Sequence, residues 1–106
     1  MEELRFVWDE QKNKTNIKKH GISFSEASTV FYDPSAIVFD DPDHSLEENR
    51  FLIIGYSIKE KLCIVSHCYR GEEEEWIRII SARKATMRER QAYIDWNGGA
   101  SDERRV

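Results

Sequence analysis

Between residues 41 and 51 the chain reads Asp-Pro-Asp-His-Ser-Leu-Glu-Glu-Asn-Arg-Phe, which places His44, Glu48 and Arg50 within seven positions of one another. An imidazole and a carboxylate can move protons, and a guanidinium can hold an anion, so the set suits chemistry on a charged substrate. In an extended chain all three side chains lie along one side. In a helical turn His44 and Glu48 still meet at i, i+4. The plain alternative is a solvated polar loop ahead of an apolar run. A second set is Trp-Ile-Arg-Ile-Ile-Ser-Ala-Arg, residues 76 to 83. Arg78 interrupts an otherwise apolar strand pattern, and a guanidinium there needs water, an acidic partner or an anionic ligand. Strict alternation sets Arg78 and Arg83 on opposite faces, so they converge only if the strand bends after Ile80 or Ser81. Two readings compete: a structural ion pair from Arg78 to a carboxylate such as Glu48, or a pair of forks for phosphate.

Charge is unevenly distributed. The net charge is −4, which argues against a general nucleic-acid binder. Yet residues 12 to 20 hold Lys12, Lys14, Lys18, Lys19 and His20 with no acid, and residues 78 to 90 hold Arg78, Arg83, Lys84, Arg88 and Arg90 against Glu89 alone. Residues 33 to 48 between them carry six acids and no Lys or Arg. Lys18, Lys19 and His20 fall in the last turn expected for the first helix. Cations complement the helix dipole there, and they also suit a ligand; both readings stand.

At 106 residues the chain fits one domain, with 40% hydrophobic and 34% charged residues. It has no apolar run long enough to span a membrane, and its first residues lack a signal core, so a cytoplasmic protein is expected. Cys63 and Cys68 lie five apart in one strand-like run, on opposite faces and beyond disulfide reach, which predicts reduced thiols. His67 beside Cys68 is a poor start for a metal site, and a hydrolase metal held by His20, His44 and His67 is the weakest of the functional alternatives.

The elements that must position these groups follow from local signals. Leu4 to Trp8 is β-prone; Asp9 caps a helix over 10 to 20, and Gly21 ends it. Ser23-Phe24-Ser25-Glu26 predicts a capping box for a second helix with Phe24, Ala27, Val30 and Phe31 on its apolar face, stopped by Asp33-Pro34. Strands are expected at 36 to 39, 50 to 58, 62 to 69 and 76 to 82, with a turn at Lys59-Glu60-Lys61 and a solvated Glu-rich tip at 72 to 75. Thr86-Met87-Arg88-Glu89 predicts a second capping box and a last helix to Trp96. The order β-α-α-β-β-β-β-α reads as α+β, an antiparallel sheet with helices mainly on one face. One domain over 1–96 and a loose tail over 97–106 are expected.

The ordered motifs Phe6-Val7-Trp8-Asp9, Asn16 to Phe24, His44-Ser45 with Glu48 and Arg50, Ile54-Gly55-Tyr56-Ser57, and Arg78 to Thr86 followed by Glu89 and Tyr93 resemble the BrnT family of type II toxin–antitoxin toxins. The resemblance runs over roughly residues 5 to 95. It implies a RelE-like fold and RNA cleavage without a metal or other cofactor. It also implies a cognate antitoxin partner, BrnA-like and DNA-binding, so that DNA is met only through the antitoxin. It draws attention to His20, His44, Glu48, Arg50, Arg78 and Arg83. The expected catalytic residues are His44, Glu48, Arg50, Arg78 and Arg83, and the expected RNA-binding ones are Lys18, Lys19, His20 and Lys84. A protein-interaction module without catalysis, or an inactive relative acting with a DNA-binding partner, is the alternative from another class.

Overall fold

The structure is a computed structural model that describes residues 3–43 and 49–99. Along the chain run β1 (Arg5–Val7), α1 (Glu10–His20), α2 (Phe24–Thr29) and a 3-10 turn (Val30–Tyr32). Then come β2 (Ile37–Asp40), β3 (Phe51–Tyr56), β4 (Leu62–Arg70), β5 (Trp76–Lys84) and α3 (Met87–Trp96). The strands form one five-stranded sheet in the order β1-β5-β4-β3-β2. Every pairing is antiparallel except β1 with β5, which is parallel. The expected element order therefore holds, with β1 adding one parallel edge to the antiparallel sheet.

Local chemistry sets the helix limits. The Asp9 carboxylate accepts the Gln11 and Lys12 N–H groups at the start of α1, and Gly21 ends the helix at φ 72°. Thr86 and Glu89 close a full capping box on α3. The box expected at Ser23 and Glu26 closes only by half. Ser23 Oγ accepts the Glu26 N–H, but the buried Glu26 carboxylate accepts from Ser57 Oγ at 2.8 Å, with Lys59 and Lys61 Nζ about 4 Å away. Tertiary donors outcompete the local one.

The sheet is covered unequally. On one face Phe24, Ala27 and Val30 of α2 and the 3-10 turn pack with Ile22 against Ile53, Cys63, Val65, Ile79 and Ala82. On the other face Tyr93 of α3 packs against Ile54, Tyr56, Leu62 and Ile64. Helices thus lie on both faces, with α3 alone on the second. Asp33 ties α3 to the rest: its carboxylate accepts from the Tyr93 hydroxyl at 2.9 Å and from the Tyr56 N–H at 2.8 Å. Gly55 makes this possible, because a Cβ there would lie 3.1 Å from the Asp33 carboxylate and 3.0 Å from Ala36 and Val30 side chains.

Both cysteines are buried thiols outside any disulfide, Cys63 on the α2 face and Cys68 on the α3 face. Burial pushes the Cys63 thiol up to about 11, so it stays protonated and inert near neutral pH. His67 is fully buried on the α2 face, ringed by Phe31, Phe51 and Tyr69, with Nδ1 3.2 Å from the Val65 carbonyl. Burial lowers its pKa to about 4. It is a core histidine. Among the described residues no three of His, Cys, Asp and Glu converge as metal ligands, and no helix is long and apolar enough to cross a membrane.

Candidate functional site

The geometry of the site begins with one irregularity in β5. Ser66 pairs with Ser81 but His67 pairs with Ile79, so Ile80 has no opposite number in β4. An extra residue in one strand shifts the alternation by one. Arg78 pairs with Cys68 and Arg83 with Ile64, four residues apart in regular β4, so both guanidiniums start from the α3 face. Their convergence depended on a bend after Ile80 or Ser81, and the irregularity lies at Ile80.

The bulge is pinned from α1. The buried Asn16 amide donates to the Ala82 carbonyl at 2.9 Å and accepts the Ala82 N–H at 3.1 Å, while donating also to the Ile22 carbonyl. β1 pairs with β5 only at residues 76 to 78, so beyond Arg78 the Asn16 side chain takes the place of a neighbouring strand. Asn16 carries no charge and sits in a basic helix, so its residue type alone does not mark it as a positioning residue.

Arg50 joins the same face. Its carbonyl accepts the Asp41 N–H, continuing the β2–β3 ladder by one residue. Phe51 pairs with His67, so the next register position sets Arg50 across from Cys68, which in turn pairs with Arg78. Adjacent strands lie about 4.8 Å apart, so Arg50 and Arg78 flank the small Cys68 side chain with their backbones about 10 Å apart. Ser66 and Ser81 form the next row. The result is a floor of small side chains between guanidiniums.

The two β5 arginines differ in their partners. Arg83 makes a bidentate pair with Glu89, Nη1 to Oε1 at 2.8 Å and Nη2 to Oε2 at 2.9 Å. That hydrogen bonding holds Glu89 down at about 2 and raises Arg83. Arg78 has no ion-pair partner among the described residues and lines an open groove of about 510 Å³ with Val7, Trp8, Asp9, Arg70 and Trp76. Arg5 of β1 lies over the Trp76 ring, 5.8 Å from its centre. Sequence reasoning missed Trp76, Arg5 and Arg70 as site residues, since only the pairing of β1 with β5 assembles them.

Of the α1 candidates, Lys19 and His20 line a neighbouring groove of about 260 Å³ with Lys12, Asn16, Ile80 and Ser81. Lys18 is exposed on α1 outside that groove, and Lys84 is exposed at the end of β5, opposite Cys63. His44 and Glu48 lie outside the described residues, as does the carboxylate end of the ion pair considered between Glu48 and Arg78.

The result is a small α+β domain that seals half of a sheet face with a helix and carries arginines and a tryptophan on the other half, a surface whose chemistry suits an anion. Comparison with known proteins narrows this. Residues 8–89 match the family model described as ribonuclease toxin, BrnT, of type II toxin–antitoxin systems. A crystal structure of the Brucella abortus ribonuclease toxin BrnT superimposes with a TM-score of 0.62 and 29% identity, covering 80% of this chain and 100% of that one. No curated protein sequence matches the chain. The chain belongs to the BrnT family of ribonuclease toxins, and a type II toxin of this kind has an antitoxin as its partner.

Proposed function

We propose that the arginine-lined half of the α3 face is where this toxin binds and cuts RNA. The observation that carries the reading is the Ile80 bulge, which turns Arg78 and Arg83 onto one face and into line with Arg50. In the proposed reaction the ribose 2′-OH gives up its proton and attacks the adjacent phosphorus, the bond from phosphorus to the 5′-oxygen of the next nucleotide breaks, and that oxygen takes up a proton, leaving a 2′,3′-cyclic phosphate; the substrate supplies its own nucleophile and the scheme asks for no metal. Arg78 and Arg50 hold the phosphate and stabilise the charge that builds on it, and Arg83 adds positive potential from the far end of the strand. His44 or Glu48 moves the proton, a role supported by their place in sequence just ahead of Arg50. Lys18, Lys19, His20 and Lys84 attract the flanking backbone. The cognate antitoxin is a BrnA-like protein that covers this basic face in the cytoplasm and brings its own DNA-binding part, so DNA is met only through it.

The test is RNA cleavage by the purified chain, in the presence of a chelator, for wild type and for Arg78→Ala, His44→Ala and Glu48→Gln, with thermal unfolding of each. Arg78→Ala should lose roughly 10²- to 10³-fold in rate while staying folded, the scale for removing one charge-stabilising donor. Loss of the proton-transfer group should cost about 10² to 10⁴. Undiminished cleavage by all three folded variants would remove the site. A wild-type chain that binds its antitoxin but leaves RNA intact would favour the interaction-module reading.

A further inference from the structure

We infer that Trp76, held by Arg5, is a stacking platform for an unpaired base, and that it makes single-stranded RNA the form this site takes. The inference rests on the proposed RNA site for its location and adds the ligand class and the residue that selects it.

Trp76 opens β5 on the same face as Arg78, two residues further on, about 7 Å away along the strand. It is 38% exposed, a large share for an indole on a sheet. Arg5 sits over the ring, and Trp76 itself lines the groove. A guanidinium over an indole holds the ring in place. The second tryptophan of the groove is already engaged: Trp8 donates its indole N–H to Glu10 and packs edge-on against Phe24. Asp9, the groove's carboxylate, accepts two N–H groups from the start of α1. Lining the groove beside them are the Trp76 ring and Arg78.

An aromatic plane next to arginines is the combination that binds single-stranded nucleic acid, through stacking on the base and charge on the backbone. A base within a duplex has both its faces covered by neighbours and cannot stack on Trp76. A base splayed from a single strand can, and its phosphate then falls within reach of Arg78. The groove, at about 510 Å³, lies in the range of clefts that receive small ligands.

The experiment uses the full chain and a single-stranded oligonucleotide with 2′-deoxy sugars, which cannot be cut by 2′-OH attack, alongside the same sequence as a duplex. Wild type should bind the single strand at least several-fold more tightly than the duplex, with quenched tryptophan emission. Trp76→Ala should weaken single-strand binding by about 5- to 100-fold and level the two forms. Trp76→Phe keeps a ring and the β1–β5 packing; it should retain most of the affinity and lose the quench, which keeps the test valid if the alanine variant unfolds. Equal binding of strand and duplex by wild type would overturn the inference. So would unchanged affinity in a folded Trp76→Ala, or an unchanged quench in Trp76→Phe. Cleavage of RNA assays the other claim separately: Trp76-dependent binding without cleavage leaves the platform and sinks the ribonuclease site, and cleavage with Trp76-independent binding does the reverse.

Discussion

The α3 face of the sheet has two halves that share a strand and differ in what covers them. Over β3 and the start of β4, α3 seals Ile54, Tyr56, Leu62 and Ile64 under Tyr93, and the Arg90 guanidinium reaches the Tyr56 hydroxyl at 2.9 Å. Arg83 belongs to that half, with both of its terminal nitrogens on Glu89 in the first turn of α3. Towards β1 no helix arrives among the described residues, and Arg78 stands at an open groove beside Trp76. Two arginines five residues apart on one strand face are thus given different tasks. The residue type sets what each can do, and the carboxylate supplied by α3 decides which of them remains available to a ligand.

That contrast can be broken by mutation. The largest effect should fall on catalysis: Arg78→Ala loses roughly 10²- to 10³-fold in RNA cleavage with its unfolding temperature nearly unchanged, while Arg83→Ala loses less rate and more stability. Equal rate losses for the two would erase the distinction. Next comes the attachment of α3. Asp33→Ala deprives the Ser35 N–H, the Tyr56 N–H and the Tyr93 hydroxyl of an acceptor, and should cost about 3 kcal/mol in denaturant unfolding. A loss below about 1 kcal/mol would mean that α3 is held by its other contacts and not by Asp33.

Acid sharpens the comparison further. His67 is held at about 4 by burial against an ordinary 6.5, so between those values the unfolded chain binds more protons than the folded one. Stability should therefore fall as pH drops from about 6.5 to about 4, by a sum near 3 kcal/mol, and His67→Gln should flatten that limb. The smallest effect belongs to the Arg83–Glu89 pair. Glu89 sits at about 2 against an ordinary 4.5, so its contribution is complete above 4.5 and is lost as pH falls towards 2. The pair is partly in water, with the Arg83 side chain 43% exposed, so solvent screening limits the loss to about 1 kcal/mol. Glu89→Gln should remove that acid limb without lowering cleavage.

Much of this fold is written in short-range signals. Asp9 and Gly21 bracket α1, Thr86 and Glu89 start α3, and the alternation of β3 to β5 marks their faces. What escapes local reading depends on partners far along the chain. Nothing within residues 76 to 84 marks Ile80 as the unpaired residue, and two residues on, the Ala82 N–H and carbonyl are taken up by Asn16, sixty-six positions away. Glu26 has the spacing of a capping residue and is drawn away by Ser57, thirty-one positions on. Arg78 and Arg50 are visible from their types and spacing, whereas the Trp76 groove is not, because β1 must first lie beside β5 to build its wall.

The Asn16 amide has one more consequence. β5 is nine residues long and β1 is three, so most of one side of β5 would otherwise present bare hydrogen-bonding groups to whatever chain came past. Such an edge invites another copy to add itself as a strand, and then another. By filling the slot at Ala82 with a side chain from a helix that cannot extend the sheet, the protein closes that stretch of the edge to an incoming strand.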